Sequence, residues 1–299
     1  IVRGVEKAIR PNNNSGTYDT SINLQSFNSD GFTLGTQDGL NKSGDNIVSW
    51  NWLAGGSQGS SNTDGSINTT YTSANTTAGI SIIQYSGNGS AGATIGHGLG
   101  AAPKCVIIKR TDTTSNWIFT NAALGFNKFL YLNDTATATT NSGTFNDTAP
   151  SASVITLGSW NDVNNSSGTY VAYAFAEKQG FSKFGQYVGN SQTNGAFVYT
   201  GFKPAFVIVK RTDSTANWVM TDHKISFNGK GTNESTVLFP SVSNVESDAY
   251  GLQLYSNGFK FQGSDSASVT VNGSGASYIY LAFAEAPLVG TNNTPCTAR

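Results

Sequence analysis

PKCVIIKRTDTTSNW occupies residues 103–117, and PAFVIVKRTDSTANW occupies residues 204–218. Every matched pair, from Lys109/Lys210 and Arg110/Arg211 through Asp112/Asp213 to Trp117/Trp218, lies 101 residues apart. The likeness extends outward from this stretch. Upstream, Gly79-Ile80-Ser81 and Gly180-Phe181-Ser182 open the two copies, and a Tyr-x-Gly-Asn follows at 85–88 and 187–190. Downstream, each copy closes on an alternating run, YVAYAFAE at 170–177 and YIYLAFAE at 278–285. A duplication of this size means tandem domains, because solenoid repeats run only about 20 to 50 residues.

The runs themselves read as strands. Cys105 to Lys109 and Phe206 to Lys210 are short β-rich segments ending in charge. In the closing runs Tyr173 and Phe175 share one face and Ala172, Ala174 and Ala176 the other. Gly87-Asn88-Gly89, Asn257-Gly258, Asp30-Gly31 and Asn272-Gly273 supply turn chemistry between them. The expected fold is all-β, with tandem antiparallel β-sandwich modules of jelly-roll or lectin-like kind. One helix is expected, over Val2 to Arg10, stopped by Pro11.

Ser29-Asp30-Gly31-Phe32-Thr33-Leu34 echoes Ser256-Asn257-Gly258-Phe259-Lys260-Phe261, and Ile47 to Ala54 stands in the place of a closing run. Residues 1–54 are therefore expected to be the C-terminal half of a first module, whose other half would precede Ile1 in a longer polypeptide. Residues 55–78, rich in Gly, Ser, Thr and Asn, read as a flexible linker. A second module over 79–178, a third over 179–287 and a polar tail over 288–299 complete the expected organisation.

Only 12% of residues are charged, against about a quarter in typical soluble domains, and the net charge is -1. That balance gives no drive toward nucleic acid or anionic membranes, and no apolar run approaches a membrane span. Cys105 falls in a strand where the sister copy has Phe206, which implies a buried apolar role rather than pairing with Cys296.

Candidate chemistry is sparse. His97, in Gly96-His97-Gly98-Leu99-Gly100, reads as a residue of a mobile glycine loop, and His223 as a solvated loop residue. No spacing of His, Cys or Asp suggests a metal centre, and Asp134, Asp147 and Asp162 form no calcium ligand set. Asp112/Asp213 and Glu177/Glu285 are shared by both copies and read as structural fixtures, not as a facing pair for glycoside hydrolysis. The sharpest pattern is Lys109, Arg110 and Trp117 with Lys210, Arg211 and Trp218. It could form a surface contact patch for a glycan or protein. The preferred reading is a hairpin whose Trp enters the core beneath the lysine and arginine stems. Other ligand contacts would fall in the divergent loops, Asn133 to Thr148 and Lys224 to Ser235.

In combination, G-x-S, Y-x-G-N, the Lys-Arg-Thr-Asp stretch and the A-F-A-E run resemble a repeat family of virion proteins from tailed bacteriophages of marine and cyanobacterial hosts. Ser29 to Gly35, Asn51 to Gly56 and Ala282 to Pro287 look like that family too. The resemblance implies a virion-surface protein, a tail fibre or related appendage acting in host attachment, with no catalytic residues, no cofactor and no membrane insertion. It implies other virion proteins as partners, a homo-oligomer with a trimer favoured, and a host-surface glycan or protein as target. A capsid-decorating protein, a glycan depolymerase and a host-derived lectin-like adhesin are the alternatives.

Overall fold

The structure, a computed structural model, describes residues 2–19, 21–225, 236–248, 250–262 and 268–285. Along the chain come β1 (Lys7–Ala8), β2 (Tyr18–Asp19), β3 (Leu24–Phe27), β4 (Phe32–Leu34), α1 (Asp38–Asn41), β5 (Tyr71–Asn75), β6 (Ile80–Ser86), β7 (Thr94–Gly96) and β8 (Cys105–Arg110). Then follow β9 (Trp117–Asn121), β10 (Lys128–Tyr131), β11 (Thr139–Thr140), α2 (Ser142–Phe145), β12 (Val154–Thr156), α3 (Asn161–Asn164) and β13 (Thr169–Phe175). The remainder is β14 (Ser182–Val188), β15 (Asn194–Tyr199), β16 (Phe206–Arg211), β17 (Val219–Asp222), β18 (Leu252–Tyr255), β19 (Gly258–Gln262), α4 (Ser268–Val271) and β20 (Ser277–Phe283). Each helix is a single four-residue turn, so the chain is all-β with antiparallel sheets, as the alternating sequence predicts.

Two compact units emerge. One comprises Ile1–Arg10, Asn14–Trp117 and Gly143–Ala176; the other comprises Pro11–Asn13, Ile118–Ser142 and Glu177–Arg299. These limits do not follow the repeat boundaries at 79–178 and 179–287, because residues 118–142 of one repeat belong with the next.

In the first unit, β5, β6, β13 and β8 form a continuous antiparallel ladder with β13 paired on both sides. A second pair, β7 with β12, sets Ile95 opposite Ile155. Ile83, Tyr85, Ile108, Ala172 and Ala174 of the ladder are fully buried, as are Ile95 and Ile155. It is thus the alanine face of the closing run that enters the core, with Tyr170 on the same face, while Tyr173 and Phe175 stay half-covered. Small side chains there let an opposing layer approach closely.

The second unit repeats the ladder as β14-β20-β16-β17 and faces it with β15-β19-β18. A single cluster draws Val207, Val209, Tyr278 and Tyr280 from one sheet and Val198, Leu252, Leu254, Phe259 and Phe261 from the other. This is a β-sandwich core. Burying one such phenylalanine contributes about 2 kcal/mol. β9, β10 and β11 add a further antiparallel set to this unit.

The echo between the front and back of the chain is structural. Phe27 pairs with Phe32 in the β3–β4 hairpin as Leu254 pairs with Phe259 in β18–β19. Two expectations are corrected. Val2 to Arg10 is not a helix, since Gly4 and Glu6 take positive φ and Lys7–Ala8 pairs as a strand with Tyr18–Asp19. Residues 55–78 are not a free linker, because β5 adds to β6 and its threonine and tyrosine suit an edge strand. Thr72 N–H donates to Ser60 O, Ile67 N–H donates to Thr94 O, and Ile67 is buried. The tail over 288–299, Cys296, and residues 226–235 of the Lys224 to Ser235 loop lie outside the described residues.

Candidate functional site

Strand β8 ends in Lys109-Arg110, and β16 ends in Lys210-Arg211. Alternation along each strand sets the arginine on the face of Ile108 or Val209, at the rim of the core, and the lysine on the opposite face, where other backbone covers it. Both lysines are fully buried. A buried ammonium is tolerable only when its protons are taken up by acceptors. Lys109 Nζ donates to the carbonyl oxygens of Arg110 (2.8 Å), Ser115 (2.8 Å) and Asn14 (3.3 Å). Lys210 Nζ donates to Arg211 O (2.9 Å) and Thr135 O (3.1 Å). Burial pushes both amines down to about 8, with Asp162 and Asp134 respectively pulling the other way.

The arginines act locally. Arg110 forms a two-point contact with Asp112 at 2.9 and 3.1 Å, and Arg211 Nε donates to Asp213 at 2.7 Å. The Arg110 guanidinium holds the Asp112 carboxyl below the usual range. Each aspartate also accepts a backbone N–H at the start of the closing strand, Thr169 or Ser277. The Thr-Asp element therefore fastens the end of one strand to the beginning of another. A glycan-cleaving role would need an opposed carboxylate, and the partner here is an arginine.

The tryptophans point inward. Trp117 and Trp218 are buried, and each indole N–H donates to a backbone carbonyl, Arg10 O at 2.9 Å and Tyr131 O at 2.8 Å. Trp117 stacks near Tyr173, and Trp218 meets Phe119 edge-on. The reading of these six residues as an exposed contact patch is thereby replaced. Lys109, Lys210, Trp117 and Trp218 are buried, while Arg110 and Arg211 are tied to aspartates.

What the motif holds is a stretch of extended backbone. In the first unit, Asn14 O also accepts Ser115 N–H (2.8 Å), and Thr17 N–H donates to Thr111 O (2.9 Å). In the second unit, Thr135 O accepts Ala216 N–H (3.0 Å), and Ala138 N–H donates to Thr212 O (3.0 Å). Arg10, Asn14 and Thr17 correspond in order to Tyr131, Thr135 and Ala138. Two cradles of identical layout thus grip two loops, 10–17 and 131–138, through main-chain atoms. Sequence reasoning missed the loops because RPNNNSGT and YLNDTATA share no side-chain pattern. It had instead placed ligand contacts over Asn133 to Thr148, part of which the cradle covers.

A second repeated constellation explains Tyr-x-Gly-Asn. Tyr85 stacks on Tyr170 at 5.0 Å, and Tyr187 stacks on Tyr278 at 4.9 Å. Tyr85 and Tyr187 donate to Val163 O and Val271 O. Asn88 and Asn190 exchange hydrogen bonds with the buried amides of Asn164 and Asn272. At Gly87 an added Cβ would fall 2.3 Å from Asn165 O, and at Gly189 2.3 Å from Gly273 O. This network, too, holds the fold together.

His97 is fully buried, not a residue of a mobile loop. Leu99 N–H donates to its Nδ1 at 3.2 Å, which leaves Nε2 to donate to Ser151 O at 3.3 Å. Burial lowers its pKa, so it is a neutral structural imidazole. Cys105 is buried and free, as its place in the strand predicts. Among the described residues no group of three His, Cys, Asp or Glu side chains converges as a metal site.

A family model described as a domain of unknown function, DUF7483, matches residues 1–287. The chain belongs to that family. No curated protein and no solved structure matches it.

Proposed function

We propose that the protein is a structural and binding component of a bacteriophage virion, a tail fibre or related appendage engaged in attachment to the host surface. One observation supports the structural half of this reading. The lysine, arginine, aspartate and tryptophan shared by both repeats are consumed in gripping backbone, so the repeated chemistry assembles modules and leaves no free nucleophile or acid–base pair among them. The virion half rests on the motif resemblance given above and on a surface of low charge rich in Ser, Thr, Asn and Gly.

The test is to locate the chain on purified particles by reconstruction, with an antibody fragment against it as marker. Density at the tail or baseplate in a few symmetric copies is the expected result. Copies spread over the capsid lattice would replace it with shell decoration. Loss of viscosity when host polysaccharide is incubated with the pure protein would replace it with a depolymerase.

A further inference from the structure

The loop gripped by each cradle has a third counterpart. Loop 10–17 is closed by the pair Ala8↔Tyr18, and loop 131–138 by Phe129↔Thr139. The bridge Val237↔Ser247 closes the segment 239–246 in the same way and at the same length. The flanking register agrees as well. Met220 bridges Leu238 in the second repeat as Phe119 pairs with Leu130 in the first. By this register Ser243 stands where Thr135 and Asn14 stand, and Glu246 where Ala138 and Thr17 stand.

Among the described residues there are three such loops and two Lys-Arg-Thr-Asp cradles, and each cradle holds a loop. Ser243, Asn244, Val245 and Glu246 are all exposed, with Val245 at 86%. Of the corresponding residues held in the two cradles, Thr135 to Ala138, Gly16 and Thr17 are partly covered and only Asn14 and Ser15 are exposed, so the contrast lies at Val245 and Glu246. An almost bare valine on a loop of this type has the place of a docking element and the exposure of a free one.

We infer that loop 239–246 seats in the Lys109–Trp117 cradle of a second copy of this chain, in place of that copy's own residues 10–17. The cradle's contacts are to main-chain atoms at three positions, the carbonyls of residues 10 and 14 and the N–H of residue 17. Loop 239–246 offers the same three groups at Phe239, Ser243 and Glu246. Exchange therefore replaces each hydrogen bond with an equivalent one and covers Val245. The result is head-to-tail joining of copies. It does not depend on where the protein sits, so failure of the virion reading leaves it intact.

The experiment uses the full chain carrying Cys296→Ser, which leaves the buried Cys105. Val245 corresponds to Thr137 in one cradle and to Gly16 in the other, where an added Cβ would lie 3.0 Å from Thr111 O and 3.1 Å from Thr113 O. Seating the valine therefore requires those carbonyls to give by a few tenths of an ångström; Thr113 is exposed. Val245→Cys and Thr113→Cys proteins are mixed and mildly oxidised. A 113–245 disulfide between copies, identified by peptide mass, is the expected product. Sedimentation should show mass rising with concentration, and Glu246→Pro, which removes the third donor from an exposed position, should abolish that rise while the far-ultraviolet circular dichroism stays unchanged. A chain that stays monomeric at its highest attainable concentration overturns the inference. So does association that survives Glu246→Pro without the 113–245 link. Should Glu246→Pro alter the fold, the disulfide mapping decides alone.

Discussion

At the scale of single residues, the buried lysines set both a stability dependence and a pH dependence. Lys210→Met removes the lysine donor from Arg211 O and from Thr135 O, which keeps Ala216 N–H, a loss of about 1–3 kcal/mol by urea denaturation. Arg211→Met breaks a partly exposed ion pair with Asp213, and the same measurement should register about 1 kcal/mol or less. The pH effect follows from linkage. Lys109 and Lys210 sit near 8 in the fold and return to 10.5 when it unfolds, so between these values the unfolded chain binds more protons. Stability therefore rises with pH in that window, by up to about 3 kcal/mol for each lysine. Cys105, raised by burial, opposes the rise from about pH 9 because its thiol ionises first in the unfolded chain. Tyr85 and Tyr187, also raised by burial, reverse it above about pH 10. Urea midpoints taken from pH 7 to 11 should accordingly pass through a maximum on the alkaline side.

At the scale of elements, close backbone approach decides which glycines are replaceable. Gly87→Ala drives a Cβ into Asn165 O and should cost more than 2 kcal/mol or prevent folding. Gly89→Ala meets nothing nearer than 3.5 Å and should cost about 1 kcal/mol for its positive φ alone. Thermal melts of the pair separate the two causes. The edge strand β5 gives a test of another kind. Limited proteolysis should spare residues 67–75, where a flexible linker would be cut first. The strands and closing runs were legible because alternation and β-branched residues carry period-two information directly. β5 was not, because YTSAN inside a Gly-Ser-Thr tract has the composition of a linker, and its pairing with β6 is a tertiary fact. His97 misled for a similar reason, since its flanking glycines suggested mobility and its partners Leu99 and Ser151 carry no motif.

At the scale of the whole molecule, the repeat seen in sequence and the unit seen in space are out of phase. The second unit takes Ile118–Ser142 from the repeat before it, and Trp218 and Lys210 depend on carbonyls in that segment. A fragment spanning 118–285 should therefore melt cooperatively and well above one spanning 179–285, which leaves the Lys210 ammonium with Arg211 O alone and the Trp218 indole N–H without its acceptor. Differential scanning calorimetry of the two fragments makes the comparison, and equal melting temperatures would refute the assignment of 118–142. The cradle was half legible. Its lysine, arginine and tryptophan stood out as repeated, yet the loop they grip did not, because a contact to carbonyl and amide leaves no trace in side-chain identity. The same property makes spelling irrelevant and count decisive. Replacing the side chains at Thr135, Ala136 and Thr137 should be tolerated, whereas deleting one residue from 131–138 would slip every carbonyl past its donor. In a lineage of such proteins positions 135–137 should therefore drift in letter while the count from 131 to 138 stays fixed, as a ruler keeps its divisions whatever is written beside them.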